Sequence, residues 1–372
     1  VLGQPSWTIR AKGVEASITR AGGMIAPVTF TLGRKKVSPM HVAPWHDEKV
    51  EKNTPTIVRA LRGDFFCMPF GGNATPFGKE RHPVHGEVAN SDWSLESFEE
   101  SEDETTLRLQ LKTHARKASV DKLVRLVPDH IAIYQRHTIR GGSGAMPIGH
   151  HLMLRFPDEG GIVSTAPFVH GQVFPEPVEK PEDRGYSILK PGETFDSLDS
   201  VPMITGESAD LSRYPARRGY EDLVMMVSDP TLDFGWTAVV FPSQGYAWFA
   251  LKDVSVLRNT ILWISNGGRH YAPWNGRHVN VMGLEETTSY FHPGLAESAK
   301  ANPLSKMGFP TTITLDPKQP TTVNYIFGVV AVPPEVTRIE VIERSENGIM
   351  LHGGGLRHEV PLDVEFLFGR ER

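Results

Sequence analysis

Thr105-Thr106-Leu107-Arg108-Leu109-Gln110-Leu111-Lys112 alternates apolar and polar side chains almost without a break. Successive side chains on a strand point to opposite faces, so this stretch predicts a β-strand with one dry and one wet side. Working outward, comparable strand signals recur at 14–19, 25–32, 122–127, 131–139, 223–227, 234–241, 246–251, 279–284 and 321–332. Turn formers separate them, among them Gly141-Gly142-Ser143-Gly144, Pro191-Gly192, Pro242-Ser243-Gln244-Gly245 and Asn266-Gly267-Gly268. Good helix windows are nearly absent; the best, 294–302, is short. Many strands at short spacing predict an all-β fold, a large antiparallel β-sandwich. No fixed-period repeat points to a propeller or a solenoid.

A chain of 372 residues is long enough to bury a sizeable core without covalent staples. No Ser/Gly-rich or charged linker divides it, so a single domain over 1–372 is expected. Two stretches, 174–181 and 192–218, read as long excursions, and such loops often form the rim of a site. The net charge of −5 argues against a nucleic-acid partner, which would want a basic face. No apolar run approaches the roughly 18 residues of a membrane helix. The one cysteine, Cys67, lies among bulky apolar residues and reads as a buried, inert thiol. The chain begins at Val1, which fits a cleaved leader and a shortened chain equally, so the compartment is left open, as is the oligomeric state.

Titratable groups concentrate in three places. The first is a glycine-rich run, Gly71-Gly72-Asn73-Ala74-Thr75-Pro76-Phe77-Gly78, followed by His82-Pro83-Val84-His85-Gly86-Glu87. Glycine lets backbone approach a ligand closely, and a histidine beside such a turn can present one ring nitrogen and anchor the other. The second is Gly149-His150-His151-Leu152, and the third is Gly283-Leu284-Glu285-Glu286. Neighbours on a strand face opposite ways, so only one histidine of the pair and one glutamate of the pair can enter any given pocket.

These three segments, in this order, resemble the aldose 1-epimerases (galactose mutarotase-like proteins). That family carries a histidine in an early "HG" segment, matched here by His85. A second histidine on a mid-chain strand is matched by His151 in "IGHHLMLRF", and a glutamate in an "LE" segment near the C-terminus by Glu285 in "VMGLEETTSYF". Leu262-Trp263 and the opening Gly22-Gly23-Met24 fit the same pattern. The resemblance implies a sandwich fold, a small sugar as substrate, and no cofactor or metal. It also has departures. Gly72-Asn73-Ala74-Thr75 replaces the segment whose arginine helps bind sugar, the substrate-binding aspartate has no clear counterpart, and loops bearing Trp45-His46, Arg269-His270-Tyr271 and Trp274-Asn275 are extra.

Interconverting sugar anomers requires opening the hemiacetal and closing it on the other face of the aldehyde. A base takes the C1 hydroxyl proton while an acid protonates the ring oxygen, and the roles then reverse. A carboxyl group (about 4.3) and an imidazole (about 6.5) can serve near neutrality, the carboxyl better if burial raises it. The resemblance assigns Glu285 as base, His151 as acid and His85 as a stabiliser of developing charge. Asn73 is expected to hold a sugar hydroxyl, and Trp263 or Trp274 to stack on the pyranose. Two further readings compete. A cupin-type metal site would draw on His82, His85, His151 and Glu285. A carbohydrate-binding protein or polysaccharide lyase on the same fold would need an aromatic platform or a uronate-neutralising arginine such as Arg155, Arg217 or Arg218.

Overall fold

A computed structural model describes residues 1–370, and two large antiparallel sheets dominate it. The first runs, in spatial order, Ser6–Ala11, Val14–Thr19, Ile25–Leu32, Asp64–Cys67, Ile148–Arg155, Val281–Thr288, Asn259–Asn266, Tyr220–Ser228, Phe168–Val173 and Thr194–Phe195, with Lys35–Val37 paired beside the third strand. The second runs Arg213–Tyr214, Gly161–Thr165, Gly235–Phe241, Tyr246–Lys252, Thr321–Ala331, Ala132–Gly141, Ala118–Leu126, Thr105–Thr113 and Ser94–Glu100. The all-β expectation holds, and the architecture is a twisted sandwich of these two sheets.

The period of two decides what each strand buries. Thr105–Thr113 lies near the edge of the second sheet, and its Arg108, Gln110 and Lys112 are exposed while Leu107, Leu109 and Leu111 face the other sheet. Strands at the centre of the first sheet are instead buried on both sides. Ile148, Leu152 and Leu154 point between the sheets, as do Leu262 and Ile264, and Met282 and Leu284. The alternate residues, among them Phe65, Met153, Ile261, Trp263 and Val281, point outward into a second apolar layer beneath long loops. A third apolar layer covers the outer face of the second sheet. There the three-strand unit Val341–Arg344, Gly348–Gly353 and Leu356–Pro361 buries Ile342, Ile349 and Leu351 with Trp236 and Phe249. At roughly 25 cal/mol per Å² of apolar surface, these layers supply the main driving force for folding.

The helical window at 294–302 appears as Leu295–Ala299 followed by Pro303–Lys306. The second of these starts with Asn302 as a capping residue, its side chain accepting from Ser305 N. The 192–218 stretch is not a bare loop. It forms the hairpin Val201–Pro202 with Ser208–Ala209, and edge pairs that extend each large sheet. Cys67 is buried, and burial pushes its thiol well above the ordinary range, as an inert cysteine requires.

Candidate active site

His151 and Glu285 are register partners on adjacent antiparallel strands. Directly opposed residues put their side chains on the same face within contact distance, and here that face is the outward one. The imidazole Nε2 lies 3.3 Å from the carboxylate Oε1, and both side chains are almost wholly buried. His151 Nδ1 and Glu285 Oε2 have no hydrogen-bond partner among the described residues. Phe65, opposite His151 on the next strand, stacks on the imidazole at 4.7 Å and fixes its plane. Gly283 leaves room for the pair, because a Cβ there would sit 2.8 Å from Glu285 Oε1 and 3.0 Å from the Trp263 side chain and would displace the carboxylate.

Burial sets the protonation of this pair. It pushes the Glu285 carboxyl up to about 8, against the opposing pull of the Arg269 charge. It pushes His151 down to about 3, helped by the charges of His292 and Arg269. Both partners are therefore neutral in the free site at neutral pH, with the shared proton resting on Glu285. Desolvation thus favours the protonated carboxyl and the unprotonated imidazole over a carboxylate beside an imidazolium.

His85 joins the pair from a loop. Its φ is +59° and the following Gly86 has φ +77°, where a Cβ would meet Met68 O at 2.0 Å. Its backbone N–H donates to Gly71 O, and its Nδ1 accepts from Gly71 N at 3.3 Å. This leaves the ring proton on Nε2. The ring packs edge-on against His151 at 4.9 Å, and burial drives its pKa well below the ordinary value, keeping it neutral.

The three residues line one cavity of about 380 Å³, a size suited to a small ligand. His292, Arg269 and Glu176 line it as well, and the sequence reading had singled out none of them as site residues. Arg269 is the central omission. Its Nε donates to Glu179 Oε1 at 2.8 Å, and Glu221 lies 3.9 Å away. Its guanidinium sits over both Trp263 (4.9 Å) and Trp274 (4.7 Å). Burial would lower the Arg269 pKa, but Glu221, Tyr271 and Glu179 outweigh it and hold the charge on. Glu221 in turn fixes the Trp263 indole, accepting from its Nε1 at 3.1 Å, and burial pushes that carboxyl up to about 7. The only hint in the sequence was that Arg269 and Trp274 share one of the extra loops.

Several expected roles are corrected. Trp263 and Trp274 do line the cavity, but each is 5% exposed, and Arg269 lies over both rings while His278 stacks on Trp263 at 5.3 Å. Their π-faces hold an arginine, so they offer no open platform for a pyranose. Asn73 does not line the cavity. Its amide donates to the carbonyls of Pro69, Gly71 and Pro83, and its oxygen accepts from Leu295 N at 2.9 Å, so the side chain is spent on its own loop. His150 points between the sheets to Asp64 at 2.9 Å. His82 pairs with Glu80, which also binds Arg116, away from the cavity, so the four-residue cupin-type set is not assembled. Arg155 and Arg218 line a different cleft, and Arg217 packs on Tyr220 at 5.0 Å. Of the two long excursions, only the first rims the cavity, through Phe174, Glu176, Pro177 and Val178.

No protein-family model matches the chain, and no curated protein does. Solved structures do. A galactose mutarotase-like protein of Clostridium acetobutylicum superposes with a TM-score of 0.60 at 14% identity, over 88% of this chain and 96% of that one. A candidate aldose 1-epimerase of Escherichia coli K12 gives 0.57 at 14% identity, over 89% and 100%. A galactose mutarotase-related enzyme of Lactobacillus acidophilus gives 0.55 at 13% identity, over 88% and 98%. The chain therefore has the galactose mutarotase-like β-sandwich fold, as its resemblance to those proteins implied.

Proposed function

We propose that this protein interconverts the anomers of a small sugar by acid–base opening and closing of its ring. The observation that carries the reading is the buried His151–Glu285 pair, 3.3 Å apart at the base of a cavity, with one nitrogen and one oxygen left unpartnered. The inner pair His150–Asp64 also leaves a nitrogen and an oxygen unpartnered, but it does not line the cavity, so what marks His151 and Glu285 is their opening onto a space a ligand can enter. Groups whose environments push their pKa values apart are the expected signature of an acid and a base working together.

In the first half-reaction Glu285 gives its proton to the ring oxygen while neutral His151 takes the C1 hydroxyl proton. The C1–ring oxygen bond breaks with its electron pair on oxygen, and an aldehyde forms. After rotation about C1–C2 the freed hydroxyl attacks the other face. Its proton returns to the Glu285 carboxylate, and the His151 imidazolium protonates the carbonyl oxygen. The cycle closes with both residues in their starting states, Glu285 acting at the ring oxygen and His151 at the C1 oxygen in both halves. His85, donating from Nε2, stabilises charge on the oxygen that is losing its proton. Arg269 positions sugar hydroxyls from the far wall.

A sugar binder without catalysis is the second reading, but the covered faces of Trp263 and Trp274 speak against a stacking platform. The deciding experiment is saturation-transfer NMR of anomeric exchange across neutral, phosphorylated and uronic sugars, with the wild type and Glu285→Gln. Exchange that accelerates for one sugar and is lost in the variant supports the reading. No acceleration with any sugar overturns it.

A further inference from the structure

Arg155 and Arg218, two arginines that the active site does not use, line a second concavity of about 650 Å³. Arg155 lies four residues beyond His151 on the same strand, so this cleft opens at the opposite end, about 13 Å along the strand. Five separate segments form it. They are the hairpin arm with Lys35 and Lys36, the strand end and following turn from Arg155 to Asp158, Arg218, and the turns with Gln244 and Tyr246 and with Val279 and Asn280.

Its charge runs against that of the whole chain. Four cations, Lys35, Lys36, Arg155 and Arg218, line it with one carboxylate, Asp158, on a protein of net charge −5. That carboxylate is already committed, accepting from Asn280 Nδ2 at 2.7 Å, and Arg218 is 4.0 Å from it. Lys35 bonds to the carbonyl of Gln244, tying the hairpin arm to the turn of the opposite sheet. Lys36 and Arg155 have no side-chain hydrogen bond or ion pair among the described residues. Arg10, Arg277 and Arg338, by contrast, each hold a carboxylate, of Glu15, Glu48 and Asp199. Like charges gathered in a concavity focus a positive potential that only an anion relieves. Phe156 and Tyr246 are buried in the wall and make it rigid, through ring contacts with Phe241 at 5.2 Å and 5.0 Å.

We infer that this cleft is a second binding site, taking a ligand that bears oxyanion groups, with Lys36 and Arg155 as its principal contacts. The volume exceeds that of a lone ion and suits a short acidic chain. Two sources share this chemistry, the carboxylates of an acidic oligosaccharide and free phosphate, and both enter the test. The inference does not depend on the proposed epimerase activity.

The test is calorimetric titration of the full chain with trigalacturonate, inorganic phosphate and, as the uncharged control, maltotriose, at low and at physiological ionic strength. Trigalacturonate or phosphate should bind at low salt, more weakly at high salt as charges are screened, and maltotriose should not bind here. The Lys36→Ala/Arg155→Ala variant should lose about tenfold or more in affinity, whereas Lys318→Ala and the active-site variant Glu285→Gln should bind as the wild type does. Tighter binding of trigalacturonate identifies the glycan as the ligand; equal or tighter binding of phosphate identifies the free ion. No binding of either anion at low salt, or binding untouched in the double variant, overturns the inference.

Discussion

His150 and His151, and likewise Glu286 and Glu285, are chain neighbours on the same two strands, yet they live in opposite environments. On the inner face His150 meets Asp64 at 2.9 Å, and Asp64 also accepts from Gln135. Glu286 pairs with Lys252 and accepts from Thr237 and Thr260. On the outer face His151 and Glu285 have little beyond each other. Burial is nearly complete on both sides, so burial alone does not distinguish structural from chemical groups. Access does: Glu286 has both oxygens partnered, His150 and Asp64 keep an unpartnered atom each but lie away from the cavity, and only His151 and Glu285 turn unpartnered atoms toward a space that a ligand can enter.

The sharpest way to break this contrast is to neutralise each glutamate in turn. Glu285→Gln should lower anomeric exchange by about 10²–10⁴ while leaving the thermal midpoint unchanged or higher. Glu286→Gln should cost about 3–5 kcal/mol of stability by stranding the buried Lys252 charge, with exchange per folded molecule retained. Denaturation curves and exchange rates on the two variants check both, and a Glu286 variant that loses exchange while staying stable would erase the distinction. The histidines repeat the experiment at smaller amplitude. His151→Gln should cost about 10² in exchange, whereas His150→Gln should cost about 1–3 kcal/mol of stability, since Asp64 loses its partner.

The two faces should also respond to pH with opposite sign. For Asp64, burial raises the pKa, but the His150 contact and neighbouring donors win and leave it lowered. Its stabilising contribution is present above the ordinary carboxylate range and is lost as acid protonates it. Glu285 is raised to about 8, so the folded state holds that proton more tightly than the unfolded chain. Its contribution is fully present below the ordinary carboxyl pKa and is lost as pH rises through about 8, where exchange also falls. Unfolding measured across this range should show Glu285→Gln flattening the alkaline limb alone.

The fold was legible because alternation is a local property, visible in 105–112 without any partner. The central strands were harder to bound. Val281–Thr288, for instance, runs four residues past the alternating stretch read at 279–284, because both of its faces are buried and the pattern no longer alternates. Parity made it legible that only one of each His and Glu pair enters the pocket, but choosing His151 and Glu285 needed the family resemblance. Arg269 and His292 were not legible, since each reaches the cavity through a loop whose path depends on tertiary contacts. The same dependence misled the reading of Asn73. A polar residue in a glycine-rich loop looks the same in sequence whether its amide faces a ligand or its own backbone.

That residue gives the smallest effect and a separate check on the outer face. Asn73 clamps the carbonyls of Gly71 and Pro83, and Gly71 is the group that holds both the backbone and the ring of His85. Asn73→Ala should therefore cost about 1–2 kcal/mol in stability and lower kcat about two- to five-fold through a loosened His85, with KM nearly unchanged. Asn73→Asp keeps the accepting oxygen for Leu295 N but loses the donors, so it should behave like Ala. A large fall in kcat in either variant would mean that the carboxamide meets the substrate after all. The loop would then belong to the chemistry of the outer face rather than to its scaffold.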